Sequence, residues 1–155
     1  MNVSLNFPPT PEFADKHANL ATEIAKNAEN IDLDFSVESL NHIEFMLDYM
    51  NNMGATPDDV GAPVIAFGFY VGEVMRRHAG GSWRNTEETP FNGLSPFPSV
   101  VELPDGGMCD PIGKAFKRLT NGIEDNIPYF YETFTGQDVP ELKKKGLFGK
   151  LFGRG

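Results

Sequence analysis

Residues 64–83 read VIAFGFYVGEVMRRHAGGSW, and this stretch decides the fold of a chain of 155 residues. The apolar run to which it belongs, residues 60–75, is 16 residues long and contains Pro63 and Glu73. A membrane-spanning helix needs about 20 apolar residues, so the run is too short to cross a bilayer. We therefore predict a buried core helix that ends at Gly80.

The residues just before this run have the composition of a helix N-terminus. Thr56 can accept a free backbone N–H, Pro57 has the φ angle of a first helical turn, and two acids follow where the helix dipole favours them. Pro63 has no backbone N–H to donate, so it should break or kink the segment. The main helix is accordingly expected over residues 64–78.

Two helices are predicted upstream of the core helix. The first begins at Thr10, whose side chain should cap it, and ends before Ile31. The second is capped by Ser36 and stopped by Gly54. In both, apolar residues recur at three- and four-residue spacing. They are Phe13, His17, Leu20, Ile24 and Ala28 in the first helix, and Leu40, Ile43, Leu47 and Met50 in the second.

Downstream of Ser82 the chain changes to short extended runs and turns. Residues 104–106, Pro-Asp-Gly, form a turn sequence, because Pro fixes one dihedral angle and Gly supplies a positive φ. The turn follows the extended run 100–103, which predicts a small antiparallel sheet of two or three strands.

Two more helices are predicted after the sheet. Asp110 should cap a fourth helix that Asn-Gly at 121–122 ends, and Asp125 should cap a last short one. The solvent face of the fourth helix is expected to carry Lys114, Lys117 and Arg118. The fold class is therefore α+β, mainly helical, with the small sheet between helices three and four.

Charge divides the chain into two parts of opposite sign. The whole chain carries −9, but residues 1–142 hold all 22 acids and eight of the 13 bases, a balance of −14. The last 13 residues hold five bases and no acid. An acidic body argues against nucleic-acid binding, because phosphate contacts need a basic face. We assign residues 1–140 to a single domain and residues 141–155 to a basic tail.

The tail is the most distinctive feature of the sequence. Its apolar residues Leu147, Phe148, Leu151 and Phe152 would share one face of a two-turn helix, and the bases around them include Lys143, Lys144, Lys145 and Lys150. Such a segment can fill a hydrophobic groove on a partner protein or lie on an anionic membrane surface. A solubilising tail is the plain alternative. We favour a docking segment.

One string of residues carries a resemblance to a known family. It comprises Ala66, Gly68, Tyr70, Gly72, Glu73, Arg76, Gly80, Gly81, Trp83, Pro111, Lys114, Lys117, Arg118, Asn121, Gly122, Glu124, Asp125, Phe130 and Tyr131. This string resembles a family of small uncharacterised bacterial proteins, in which a glycine-spaced helix ends in Gly-Gly-x-Trp and a basic helix is closed by Asn-Gly-x-Glu-Asp. The resemblance covers residues 66–131. It supports the fold and implies no activity.

Glu73 is the one acid inside the core helix, and a partly buried carboxylate needs a cationic or hydrogen-bonding partner, which Arg76, Lys114 or Arg118 could supply. A structural ion pair is our preferred interpretation. A general acid or base is the alternative, although no nucleophile or second carboxylate stands at a defined spacing from Glu73. The candidate polar or ligand site comprises Tyr70, Glu73, Arg76, Trp83, Lys114, Arg118 and Tyr131.

The remaining residues with potential chemistry have structural interpretations. Gly68 and Gly72 lie one helical turn apart and predict close packing against another element. His17 should be a hydrogen-bonded core histidine, and Cys109 a small buried residue. The histidines have no partner at metal-ligand spacing, so we predict no metal and no cofactor.

The sequence thus favours a non-enzymatic binding protein whose partner is another protein. The N-terminus has no secretory signal pattern, which predicts a cytoplasmic location, with peripheral membrane contact through the tail left open. A toxin-neutralising immunity protein is a specialised version, because a negative surface would mask a basic toxin. A small enzyme that uses Glu73 as acid or base near Trp83 is the alternative from another class.

Overall fold

The computed structural model describes residues 3–142, and within them the predicted α+β fold is confirmed. The helices are α1 Ala14–Glu29, α2 Leu40–Asn52, α3 Pro57–Ala79, α4 Pro111–Asn121 and α5 Ile127–Thr135. The strands are β1 Ser82–Asn85, β2 Ser99–Glu102 and β3 Met108–Cys109. Single turns of 3-10 helix occur at Pro11–Phe13, Thr86–Glu88 and Ile123–Asp125.

Helix α3 is the centre of the fold. Every residue from Val64 to Met75 is buried, as expected for a helix that is apolar around its whole circumference. Helices α1 and α4 both pack against it, and α2 and α5 pack against α4. The other helices therefore each need only one apolar face.

The kink predicted at Pro63 is confirmed, although α3 begins at Pro57 rather than at Val64. Thr56 forms the expected cap, in which its side chain accepts from the Asp59 backbone N–H while the Asp59 carboxylate accepts from Thr56. The helix kinks at Val60, three residues before Pro63, where φ is −129° and ψ is 23°. A proline ring conflicts with the carbonyl four residues earlier, so the kink lies just N-terminal to Pro63.

Two predicted caps near the N-terminus are wrong. The side chain of Thr10 makes no cap bond and instead donates to the Glu12 carboxylate. Ser36 accepts from the Ser39 backbone N–H, so it closes the turn that precedes α2, and the helix itself begins four residues later at Leu40. Short polar side chains stabilise isolated turns as well as helix ends, which explains the error.

The sheet has three antiparallel strands in the order β1-β2-β3. The predicted turn between β2 and β3 is confirmed, because Leu103 and Gly107 bond across it and Gly106 has φ +86°. A longer connection, residues 86–98, joins β1 to β2 and passes over α4. This connection forms one wall of the groove described below.

The two glycines of α3 permit the close packing that the sequence predicts. A Cβ on Gly68 would lie 2.5 Å from the Cα of Ile112, so the backbones of α3 and α4 touch at this point. Gly72 has the same role toward Trp83. Interior glycines cost about 1 kcal/mol each in helix stability, and these contacts offset that cost.

Residues 143–155, which carry all the predicted tail docking residues, lie outside the described residues. Within residues 3–142 there is no helix with both the length and the apolar character needed to cross a bilayer.

Candidate functional site

Glu73 lies buried on α3 with donors on both carboxylate oxygens. Arg76 donates to it through Nε at 2.9 Å and through Nη2 at 3.0 Å. The indole Nε1 of Trp83 donates to Oε1 at 2.9 Å. Arg77 adds an ion pair at 3.6 Å. Of the three predicted cationic partners Arg76 is confirmed, whereas Lys114 and Arg118 pair with other acids.

These partners keep Glu73 ionised. Burial alone would raise its pKa, but the hydrogen bonds from Arg76 and Trp83 and the charges of Arg76 and Arg77 outweigh burial, so the pKa lies below the ordinary glutamate value. A carboxylate that is this well solvated by its own neighbours is a weak base. The arrangement therefore stabilises the end of α3.

Trp83 is held in place by packing as well as by its hydrogen bond. Its ring lies directly over Gly72, where a Cβ would come within 2.2 Å of Cζ2 and Cη2. The ring also contacts Phe69, with ring centroids 5.0 Å apart. The His17 ring stacks on Phe69 at 4.5 Å. Trp83 is thus part of an aromatic layer that joins β1 to α3 and α1.

Tyr70 belongs to a separate network on α3. Its hydroxyl accepts from the Phe35 backbone N–H at 2.8 Å and shares a hydrogen bond of 2.6 Å with the Ser39 hydroxyl. Burial raises the pKa of Tyr70 above its ordinary value. The Arg77 guanidinium lies 3.8 Å from the centre of the Phe35 ring. This network fixes the connection between α1 and α2, in which Phe35 has φ +61°.

The prediction that Arg118 faces solvent is wrong, because its side chain is fully buried. Its Nε donates to Glu44 at 2.8 Å and its Nη2 to Asp48 at 2.5 Å. The second oxygen of Glu44 accepts from the Ile127 backbone N–H. Arg118 therefore joins α2, α4 and α5 through one buried charge cluster. Its Nη1 has no hydrogen-bond partner there.

The last two predicted site residues, Lys114 and Tyr131, have partners different from those of Glu73 and Arg118. The Lys114 ammonium pairs with Asp125 at 2.6 Å, which corrects the prediction that Asp125 caps the last helix. Asn126 is the cap of α5, since its side chain accepts from the Tyr129 backbone N–H. The Tyr131 hydroxyl donates to Gln137. The seven predicted site residues thus fall into separate clusters, and only Glu73, Arg76 and Trp83 meet.

The structure contains an open apolar groove beside α4 that the sequence did not predict. It has a volume of about 500 Å³ and is bounded by the β1–β2 connection, α4 and α5. Its aromatic walls comprise Phe91, Phe97, Phe116, Phe130 and Phe134. Phe97 stacks on Phe116 with centroids 5.2 Å apart, and Phe130 contacts Phe134 at 5.1 Å. Neither Glu73, Trp83 nor Tyr131 lines it.

Two lysines give the groove a basic edge. Lys117 is exposed and forms no ion pair with any acid in residues 3–142. Lys114 lies beside the Phe130 ring and is already paired with Asp125. The one acid that lines the groove, Asp110, accepts from the Gly113 backbone N–H as the cap of α4. Lys117 acts on Asp125 only through its charge and forms no ion pair with it, so its ammonium can still bind a ligand.

The predictions of a hydrogen-bonded core histidine at position 17 and a buried cysteine at position 109 are confirmed. His17 is buried and its Nε2 bonds to the Pro8 carbonyl at 2.9 Å. Cys109 is buried, and burial raises the pKa of its thiol to about 12, so it is not a nucleophile at neutral pH. Residues 3–142 contain no group of three or more His, Cys, Asp or Glu side chains placed to hold a metal ion.

Comparisons with known proteins add no family to this description. A scan against protein-family models found no match, and searches of curated proteins and of solved structures found none either. The resemblance of residues 66–131 to a bacterial family stays a prediction.

Proposed function

We propose that this protein is a non-enzymatic binding module whose groove receives an apolar segment of another protein. The observation that supports this proposal most strongly is the open aromatic groove with the unpaired Lys117 at its edge. An apolar segment would bury area against the phenylalanines, and an acidic residue beside it would meet Lys117. The partner segment is accordingly expected to combine large apolar residues with at least one acid.

The geometry around Glu73 supports this proposal over the enzyme alternative. A general base needs a lone pair directed at a substrate and a pKa near the working pH. Both Glu73 oxygens accept from Arg76, Oε1 also accepts from Trp83, and the pKa is lowered. Glu73 is the only base in the enzyme hypothesis.

The basic tail is a second contact in this proposal, either with the same partner or with an anionic membrane, and the location is cytoplasmic. The immunity-protein version rests on net charge alone. A basic toxin would not match the basic edge of the groove, so the groove favours an acidic partner segment.

Site-specific photo-cross-linking in the native cell tests the groove. A photoreactive phenylalanine analogue replaces Leu94, which is 77% exposed at the groove, or Glu29 at the end of α1 as the control position. We expect Leu94 to cross-link one protein, through a peptide with large apolar and acidic residues. Equal cross-linking from Glu29, or a cross-linked peptide that is basic, would contradict the proposal.

Binding of the identified peptide to the purified protein then tests the charge. Lys117→Glu should weaken binding several-fold at low salt, because it reverses the free charge at the groove. Lys26→Glu makes the same change on α1 and should leave binding unchanged. Its exposed pair with Asp32 contributes little to stability. Equal weakening by the two variants would mean that only net charge matters.

A further inference from the structure

The outward face of α2 carries an exposed apolar stripe. Phe45, Tyr49 and Met53 are 52%, 52% and 68% exposed. Residues four apart on a helix lie above one another, so the three form one continuous strip along the axis. Single exposed apolar residues are ordinary, whereas an aligned row of them marks an interaction surface.

This stripe lies in the most acidic part of the chain. Residues 27–75 contain nine acids and no lysine or arginine. Two of these acids, Glu44 and Asp48, are on α2 itself, and Arg118 offsets only one of their charges. The stripe is therefore suited to an occupant that is both apolar and basic.

The described chain ends next to this surface. Asn41 near the start of α2 donates to the Pro140 carbonyl at 2.8 Å. Asn41 precedes Phe45 by one helical turn. The end of the described chain therefore lies beside the N-terminal end of the stripe. From Asn41 to Met53 the helix extends about 18 Å. Thirteen residues, the length of 143–155, extend to about 43 Å, so the segment is long enough to cover the stripe.

We infer that residues 143–155 bind along this face of α2 in the same molecule. Their apolar residues recur with the spacing of the stripe, since Leu147 and Leu151 are four apart, as are Phe148 and Phe152. Their five bases would meet the acidic surroundings of α2. Covalent attachment beside the site raises the local concentration of the segment, which favours binding within the molecule over binding between molecules.

This inference goes beyond the proposed function and does not depend on the groove. In the free protein the bound tail covers the α2 stripe, and the stripe in turn covers the apolar residues of the tail. A membrane or a partner that takes the tail must displace it from α2, and it thereby exposes the stripe. Binding is expected to weaken with salt, because the charges involved lie at the surface.

Paramagnetic relaxation in the full chain tests the inference. Gly153→Cys introduces a labelling site for a nitroxide, and the buried Cys109 with its raised thiol pKa is spared. We expect the backbone amide signals of Phe45, Tyr49 and Met53 to lose intensity at low salt and to recover in high salt. Signals on α1, such as that of Glu23, should keep their intensity.

Two surface variants locate the contact. Phe45→Ser with Tyr49→Ser should abolish the intensity loss along α2, while Leu94→Ser at the groove, a control that is even more exposed, should leave it unchanged. Circular dichroism checks that all variants are folded. Uniform broadening, broadening centred on the groove, or broadening that appears only when spin-labelled and isotope-labelled molecules are mixed would each overturn the inference. Failure of the groove cross-linking would not affect it.

Discussion

Gly72→Ala perturbs the contact on which the Glu73 cluster depends. The new Cβ would lie 2.2 Å from two atoms of the Trp83 ring, whereas nonbonded carbon atoms are stable at about 3.5–4.0 Å. Because the helix around Gly72 is buried on all sides, the indole is the group that has to move. A normal contact of about 3.5 Å between carbon atoms exceeds the 2.2 Å available by more than 1 Å, so the indole moves by at least that much. That movement separates Nε1 from the Glu73 carboxylate.

The expected cost combines three effects. Overpacking of a core contact costs about 1–3 kcal/mol. Loss of a hydrogen bond to a charged group costs about 1.5–3 kcal/mol. Replacing an interior helical glycine by alanine stabilises the helix by about 1 kcal/mol, which offsets part of these costs. We therefore expect the free energy of unfolding to fall by about 1.5–5 kcal/mol.

Denaturant unfolding followed by circular dichroism measures this change, and Trp83 provides an independent signal because it is the only tryptophan. Its emission should shift to the red in the Gly72→Ala variant as the indole loses its packed position. In a Trp83→Ala background the same substitution should stabilise the protein, by about 1 kcal/mol, because only the helix propensity remains. Equal effects of Gly72→Ala in both backgrounds would refute the reasoning.

Two further substitutions test the buried charges. Glu73→Gln should lower the free energy of unfolding at neutral pH by about 2 kcal/mol, less than for a fully enclosed pair because both arginines reach water. The native pKa of Glu73 is lowered, so its contribution is complete above the unfolded value of about 4.3 and is lost as pH falls through the native one. The variant should therefore lose less stability on acidification than the wild type, and an unchanged acid dependence would show that Glu73 is not ion-paired. Arg118→Met should lower the free energy of unfolding by about 2–4 kcal/mol, because it leaves the Glu44 carboxylate buried without its cationic partner. Adding Glu44→Gln should recover part of that loss. If it recovers nothing, packing rather than charge accounts for the stability that Arg118 contributes.

Local chemistry explains which features were predictable from the sequence. The cap of α3 at Thr56, the turn at Gly106 and the end of α3 at Gly80 each depend on residues within a few positions of one another. The spacing of Gly68 and Gly72 also indicated a close approach, although not which residues would approach. These features follow from backbone geometry that a short stretch of sequence determines.

Two features that the sequence did not predict, the burial of Arg118 and the groove, involve residues far apart in the chain, whereas the wrong caps at Thr10, Ser36 and Asp125 are local. Arg118 has helical neighbours that favour a solvent-facing position, and its acids Glu44 and Asp48 are 74 and 70 residues away. The groove is not predictable from the sequence for a similar reason, because Phe91 and Phe97 lie in a loop without periodicity and contact α4 only in the folded chain. Phenylalanines among turn residues are the one signal that could have indicated a surface there.

The central claim is that the groove, rather than Glu73, carries the function. Cross-linking from position 94 in the cell, compared between Phe134→Ser and Glu73→Gln variants that circular dichroism shows to be folded, tests it most directly. The claim predicts that Phe134→Ser loses the cross-linked partner and that Glu73→Gln retains it. Retention in Phe134→Ser together with loss in Glu73→Gln would contradict the claim and return attention to the carboxylate.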